Sequence, residues 1–508
     1  MNEERNCSDG SEHETTSFQE SDKEDAKEKS CPKIVDENKS RSFIAELRCN
    51  DVTRFNALLS FCVAFAFSML GWRSGQNGPA FLDLIRISGT DLERGSVYRS
   101  VFFAGNILGS IFGGVFYSKV NKYLMLMVSF TTNTLLLALI PWCFHYESML
   151  TVHAFHGICN GVMSVVLSAI AVAIWGATAR GRVYLNIFYA SFSAAGLISP
   201  VITSPFLLAT LTDVPVHVTL RNSSNIAGSE FKKDDLINEL NMSSANYNIY
   251  SNSTRNDTPT SNIFIAYSIS AGLSLISTVP FIILYFKAPV KNGEGSFDKK
   301  SKFIQDHLPL TLKVLQVVNI GIFSMLYMSL NFTLGGYLAT FCVQHMRWTK
   351  ASGAWLTSVL FLAMLGGRIG GAYLSLFFKP LKMLVLSTVL HAAGLVGLSL
   401  SGILTFDVGI WVSVCVIGIA LSLMWPSLTS WTNENLLPVR GRMVTYLMLT
   451  GFLGALLSPL LFGYMMEEIS TIWFCFLSLA KAVGTIINVI LMFVYTQYLR
   501  RKRTRSEL

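Results

Sequence analysis

Apolar residues in this chain come in continuous runs of about twenty, the length that crosses a hydrocarbon core as a helix. One set of runs lies at about 55–83, 97–118, 123–143, 149–175, 183–208 and 262–286. A second set lies at about 314–342, 352–378, 383–406, 408–432, 443–466 and 470–495. The runs are unbroken rather than alternating, which excludes a membrane β-barrel. They predict an all-α membrane protein with twelve transmembrane helices. Polar segments punctuate them: an acidic tail over 1–50, a long loop at 209–261, a linker at 291–313 and a basic tail at 497–508. The N-terminal tail is too polar to bury a core and is expected to be disordered.

The two sets of runs repeat one another. Leu108–Lys122 reads LGSIFGGVFYSKVNK, and Leu365–Lys379 reads LGGRIGGAYLSLFFK at an offset of 257 residues. Phe67–Leu70 and Phe323–Leu326 both read FSML, and Trp175 and Trp431 stand 256 apart. Arg180-Gly181-Arg182 returns as Arg440-Gly441-Arg442, and Ser199-Pro200 as Ser458-Pro459. A near-constant offset over four helix pairs predicts two parallel six-helix halves, 51–208 with 262–290 and then 314–496, as in major facilitator transporters.

Charge adds an orientation. The composition is 51% hydrophobic and 14% charged. Residues 1–40 carry a net −6, so the rest of the chain carries +14. With both termini cytosolic, inner turns and the C-terminal tail hold 18 Lys and Arg and the outer loops hold nine, counting Arg99 and Lys350 among the latter. The positive-inside bias therefore favours cytosolic termini, and it accounts for the basic excess without nucleic acid. The same orientation places the sequons at Asn222, Asn241, Asn252 and Asn256 outside, where they are glycosylation candidates. Residues 1–40 lack an apolar stretch, so no signal peptide is read. The nine cysteines show no disulfide spacing. No catalytic triad, phosphate loop or metal cluster is present, which argues against an enzyme and against a resident cofactor.

Polar groups at membrane depth are costly and mark candidate sites. His156, Asn160, Ser164 and Ser168 recur at four-residue steps on the fourth helix, with His153 nearby, and form a polar stripe. The stripe suits either a cavity wall for sugar hydroxyls or adhesion to a neighbouring helix. The first helix is expected to break over Gly71–Pro79, where Gln76 and Asn77 offer donors and acceptors and Arg73 offers a cation for an anionic solute. Asn106, Tyr327, Asn331 and Trp425 fall near the middle of their helices, Asn186 and Tyr189 are weaker candidates, and Lys481 stands alone in the last helix. A hard cation such as sodium wants oxygen ligands, and the runs hold almost no carboxylates beyond Asp83 and Glu434 at helix ends. Facilitated diffusion and sodium symport therefore stand level.

The segments GGVFYSKVNKYL in the second helix, AIWG at 173–176, GLISPVITSPF at 196–206, LGGR at 365–368 and WPS at 425–427 resemble the sodium-dependent glucose transporter 1 group and the major facilitator superfamily domain-containing 4 proteins. The resemblance spans about 55–495. It implies a plasma-membrane solute carrier, working as a monomer in the lipid bilayer by alternating access, with a hexose such as glucose as solute and sodium as a candidate coupling ion. It lends weight to Asn331 and Trp425 as cavity residues. By analogy with sugar porters it implies a cytosolic gate in which Arg368 contacts Glu434. The sequence departs from the pattern at Ser164 and Ser168, where relatives carry an acid and an amide. It departs again at Ser118 and Ser375, where the superfamily's gating turn usually carries a carboxylate. A carrier for an organic anion or a urea-like solute, and a non-transporting receptor or scaffold, remain alternatives.

Overall fold

In lipid each backbone N–H and C=O has to be satisfied inside its own segment, so apolar runs of this length fold as helices. The computed structural model describes residues 51–175, 179–207, 262–287, 310–437 and 441–507. Among these residues, twelve helices are long and apolar enough to span a membrane. They are α1 (Asp51–Ile87), α2 (Leu92–Phe116), α3 (Lys122–Leu139), α4 (Tyr146–Trp175), α5 (Ala179–Thr203) and α6 (Ile263–Lys287) in the first half. The second half holds α7 (Leu310–Gln344), α8 (Lys350–Phe377), α9 (Pro380–Ile403), α10 (Asp407–Asn435), α11 (Gly441–Tyr464) and α12 (Trp473–Glu507). The sequons at Asn222, Asn241, Asn252 and Asn256 and the acidic residues 1–50 lie outside the described residues. Helices α5 and α6 face the 208–261 connection at what is called here the long-loop end, and α12 finishes at the opposite, tail end.

Two expectations are corrected. Helix α1 runs unbroken through Gly71–Pro79. Its glycines serve close approach instead: a Cβ on Gly71 or Gly75 would collide with the α5 backbone at Phe192 or Gly196, and one on Gly78 with the Gly335 carbonyl of α7. Helix α12 continues through the basic residues to Glu507, because Leu, Lys and Arg are good helix formers with no breaker among them.

Ser60–Leu508 forms one unit by packing and Met1–Leu59 another; the described part of the latter, from Asp51, is the start of α1. Within Ser60–Leu508 the two predicted halves meet where α2 packs on α11 and α5 on α8. Inside each half a glycine seam joins corresponding helices. On α2, Gly105, Gly109 and Gly113 lie against Ala154, Ile158 and Val162 of α4, and Gly157 and Gly161 of α4 answer them. On α8, Gly367 lies against Ile419 and Ser422 of α10, and Gly371 against Leu423. Gly366 and Gly370 meet nothing within 4 Å. The packing equivalence is thus Gly109 with Gly367 and Gly113 with Gly371, an offset of 258 rather than the 257 at which the letters align best.

This register predicts opposite outcomes for adjacent glycines. Gly367→Leu is expected to cost several kcal/mol, since the new side chain meets the α10 backbone, whereas Gly366→Leu costs nearly nothing. Thermal denaturation of the purified variants in detergent checks the pair; equal midpoints would refute the assigned register.

Candidate functional site

At the long-loop end the halves are tied by an ion pair. Lys350, the first residue of α8, places Nζ 2.6 Å from Oδ1 of Asp83 near the end of α1, and both side chains are almost wholly buried. A cation at a helix N-terminus opposes the helix dipole, so the carboxylate is what makes this position tenable. Tyr337 of α7 donates from Oη to Ser96 Oγ of α2 at 2.7 Å. Gly463 of α11 leaves room for the same serine.

Beneath this closure lies a cavity of about 650 Å³, counting the open space at its mouth, with walls from α1, α2 and α4 on one side and α7 and α11 on the other. Two guanidinium groups line it. Arg73 lies 3.4 Å over the ring centre of Phe102 and reaches Asn160 Oδ1 with a long bond of 3.5 Å from Nη1. Arg99 donates from Nη2 to the Asn77 carbonyl at 2.9 Å and stands over the rings of Phe81 and Tyr337. The absence of a side chain at Gly336 makes room for that guanidinium; a Cβ there would overlap Nη1. Polar lining comes from Ser74, Asn77, His153, Thr333 and Ser458, and aromatic lining from Phe81, Tyr98, Phe102, Phe103, Phe332 and Tyr337. Among the described residues, no Asp or Glu lines the cavity. Among the described residues no three of His, Cys, Asp and Glu converge as a metal site would require.

The predicted site residues separate into three groups. Asn77 lines the cavity, while its neighbour Gln76 turns to α6, where its Oε1 accepts from Ser270 Oγ at 2.8 Å and Trp72 Nε1 donates to the same hydroxyl. Consecutive helical residues point about 100° apart, which is why the two amides part company. The α4 stripe is largely pressed against α2. Asn160 donates to Asn106 Oδ1, and Asn106 Nδ2 donates to the Phe102 carbonyl at 2.8 Å. Ser164 donates to the Asn160 carbonyl of its own helix, and His156 is fully buried beside Phe102 with neither ring nitrogen hydrogen-bonded. Helix adhesion therefore explains Asn106, Ser164 is satisfied within its own helix, and Asn160 also reaches the cavity through Arg73.

The third group lies further toward the tail end. Trp425 stacks on Tyr327 at 5.6 Å and 24°, and the Tyr189 hydroxyl lies near Trp425 and the buried Ser168. Arg368, also buried, stands 5.6 Å from the Tyr189 ring, and its Nε and Nη1 have no hydrogen-bond partner. The expected Arg368–Glu434 contact is not formed in this structure: the guanidinium turns to aromatic rings in the interior, and Glu434 is exposed at the end of α10. Ser118 is exposed in the turn after α2, and Ser375 donates to the Ala372 carbonyl of its own helix at 2.7 Å. Asn331 is half-buried on α7 beside the cavity residue Phe332.

Sequence reasoning missed Arg99, Lys350, Tyr337, Thr333 and Ser458. It counted Arg99 and Lys350 with the outer loops, although the run begun at 97 already contains Arg99; α2 and α8 begin at Leu92 and Lys350, so both cations lie within helices, Lys350 buried and Arg99 half-buried. The Gly335-Gly336 pair was the available signal, since it marks a close approach on α7.

Comparison with known proteins shows what the chain is similar to. Residues 261–459 match the family model described as Major Facilitator Superfamily. Sodium-dependent glucose transporter 1 of Homo sapiens is 23% identical over 439 residues, covering 84% of this chain and 77% of the relative. Major facilitator superfamily domain-containing protein 4A of Xenopus tropicalis is 23% identical over 482 residues, covering 87% and 91%. Among solved structures, the nucleoside transporter NupG superposes with a TM-score of 0.58 at 12% identity, over 86% of this chain and 99% of that one. The transporter FucP in its outward conformation superposes with a TM-score of 0.54 at 13% identity, over 86% and 98%. The chain is therefore similar over residues 261–459 to the Major Facilitator Superfamily, and its twelve membrane-capable helices share the fold of these solved structures.

Proposed function

We propose that this protein is a secondary carrier of the plasma membrane, acting as a monomer, that moves a small polyhydroxylated solute of the hexose class by alternating access. The observation that carries this reading is the cavity walled by both halves and capped at the long-loop end by Asp83–Lys350 and Tyr337–Ser96. Contacts of this kind can be made and broken while each half moves as a body, which is how carriers with two repeats expose a site alternately. The cavity suits a hydroxylated solute, with amide and hydroxyl groups beside aromatic faces. The names of the glucose-transporting relatives support a sugar and suggest sodium as coupling ion. The basic bias supports cytosolic termini, and with Arg99 and Lys350 inside the helices it is steeper than a count of loop residues suggests. The same orientation would put the sequons of the 208–261 segment where they can be glycosylated.

Uptake of labelled glucose by expressing cells, in sodium buffer and then in choline buffer, tests the reading. Uptake above mock-transfected cells is expected; its loss in choline assigns sodium symport, and its persistence assigns facilitated diffusion. No uptake in either buffer, with the protein at the cell surface, would refute a hexose carrier.

The cap makes a second prediction. Asp83→Asn or Lys350→Met leaves one buried partner without its counter-charge, a loss of about 3–5 kcal/mol for a buried pair, and is expected to unseal the long-loop end. Labelling of Thr333→Cys by a membrane-impermeant maleimide should rise several-fold in either background, relative to the same variants lacking that cysteine. The exchange Asp83→Lys with Lys350→Asp should bring it back toward the parent. Unchanged labelling in all backgrounds would mean that the pair does not hold the cavity shut.

A further inference from the structure

Among the described residues, the cationic groups in and beside the cavity, half-buried at Arg73, Arg99 and Lys481, outnumber the acidic ones. Asp83 pairs with Lys350, and among the described residues neither Arg73 nor Arg99 forms an ion pair. Arg73 has one long hydrogen bond to an amide and a ring face; Arg99 has one backbone carbonyl and two ring faces. A guanidinium offers five N–H donors, so most of this capacity is unused. Lys481, in the otherwise supporting helix α12, adds a third positive charge at one remove. Its Nζ donates at 2.8 Å to Ser458 Oγ, which lines the same cavity, and it sits 4.3 Å over the Phe462 ring. Further toward the tail end Arg368 repeats the pattern, buried with two guanidinium nitrogens unpaired. Leaving several cations in a low-dielectric interior is costly unless an anion arrives to meet them.

We propose that the cavity under the Asp83–Lys350 cap is a carboxylate site, so that the solute of this carrier is a hydroxylated organic acid, a hexuronate or a close relative of one. The inference rests on the carrier reading above and replaces its neutral hexose with the corresponding acid. Arg73 and Arg99 supply the planar forks that suit a carboxylate. Ser74, Asn77, His153 and Thr333 flank them with groups for hydroxyls, and the Phe102, Phe103 and Tyr337 faces suit the apolar side of a sugar ring. Lys481 is a positioning residue: it holds Ser458 oriented with its oxygen toward the ammonium group and raises the positive potential of the wall without touching the solute. Aromatic stacking suits guanidinium groups that exchange partners, because ring faces attract a cation yet are readily given up for a carboxylate.

The test is direct binding of three ligands to the purified full chain: sodium glucuronate, its methyl ester and glucose, at matched sodium chloride. Acid and ester share size and hydroxyls and differ in charge. Glucuronate is expected to bind roughly tenfold to a hundredfold more tightly than the ester, the scale of hydrogen bonds to a charged group. Arg73→Gln and Arg99→Gln should each abolish most of that ratio. Lys481→Met should shrink it by weakening the acid more than the ester, a charge-dependent split that a purely structural role for the lysine would not produce. Equal binding of acid and ester by the wild-type protein, or a ratio that survives both arginine substitutions, would overturn the proposal. Should the glutamine variants fail to fold, Arg73→Lys is informative: it keeps the charge, loses the fork and should reduce the ratio only in part, and an unchanged ratio there counts against the fork. A binding ratio as expected with no uptake of any of the three solutes would refute the carrier reading and leave the carboxylate site standing.

Discussion

Asp83 and Lys350 meet inside the helices although 267 residues separate them, and the arrangement of the long-loop end depends on that meeting. A lysine at the first position of α8 faces the positive pole of its own helix and is withdrawn from water, so it is tenable only with a carboxylate against it. Once α1 brings that carboxylate, Gly78 comes against Gly335, and the Tyr337–Ser96 bond closes the same end across α2 and α7. The cavity beneath owes its shape to this closure and its character to charges the closure does not neutralise. Among the described residues, Arg73 and Arg99 are held by ring faces and one hydrogen bond each, an arrangement that leaves most of their donors uncommitted.

Close helix packing is the other half of the construction. Between helices in lipid there is little hydrophobic drive, so association relies on close backbone approach and on polar contacts. The α2–α4 and α8–α10 seams use glycines for the first, and Asn106–Asn160 at the α2–α4 seam supplies the second. The Gly335-Gly336 pair shows two uses of one residue type: the first admits the α1 backbone at Gly78, and the second admits the Arg99 guanidinium. Polar residues within a span thus divide into those that hold helices together and those that line a space, and residue type alone does not separate them. Asn160 belongs to both kinds, since it bonds Asn106 and Arg73 at once.

How much was legible in the chain follows from this division. Twelve spans, their order and the two-fold repeat could be read because lipid demands about twenty apolar residues per crossing and the repeat preserves glycine spacing. The four-step stripe on α4 was rightly seen as one face, yet which neighbour that face met was not encoded locally, and α2 took much of it. Gln76 and Asn77 looked equivalent as letters and diverged because α1 stays helical through its glycines. Arg368 faces the rings of Tyr189 and Tyr327 in this structure rather than Glu434, because those rings come from other helices that sequence spacing does not report.

The sequence by itself determined the membrane class, the number and order of the helices and the doubling of the architecture, because these rest on composition and period within single segments. Only the tertiary structure decided which cations are paired and which are not: Lys350 with Asp83, and Arg73 and Arg99 with no acid. Pairing of buried charge depends on distances of a few ångströms between helices far apart in the chain, and falls off too steeply with separation for sequence spacing to report it.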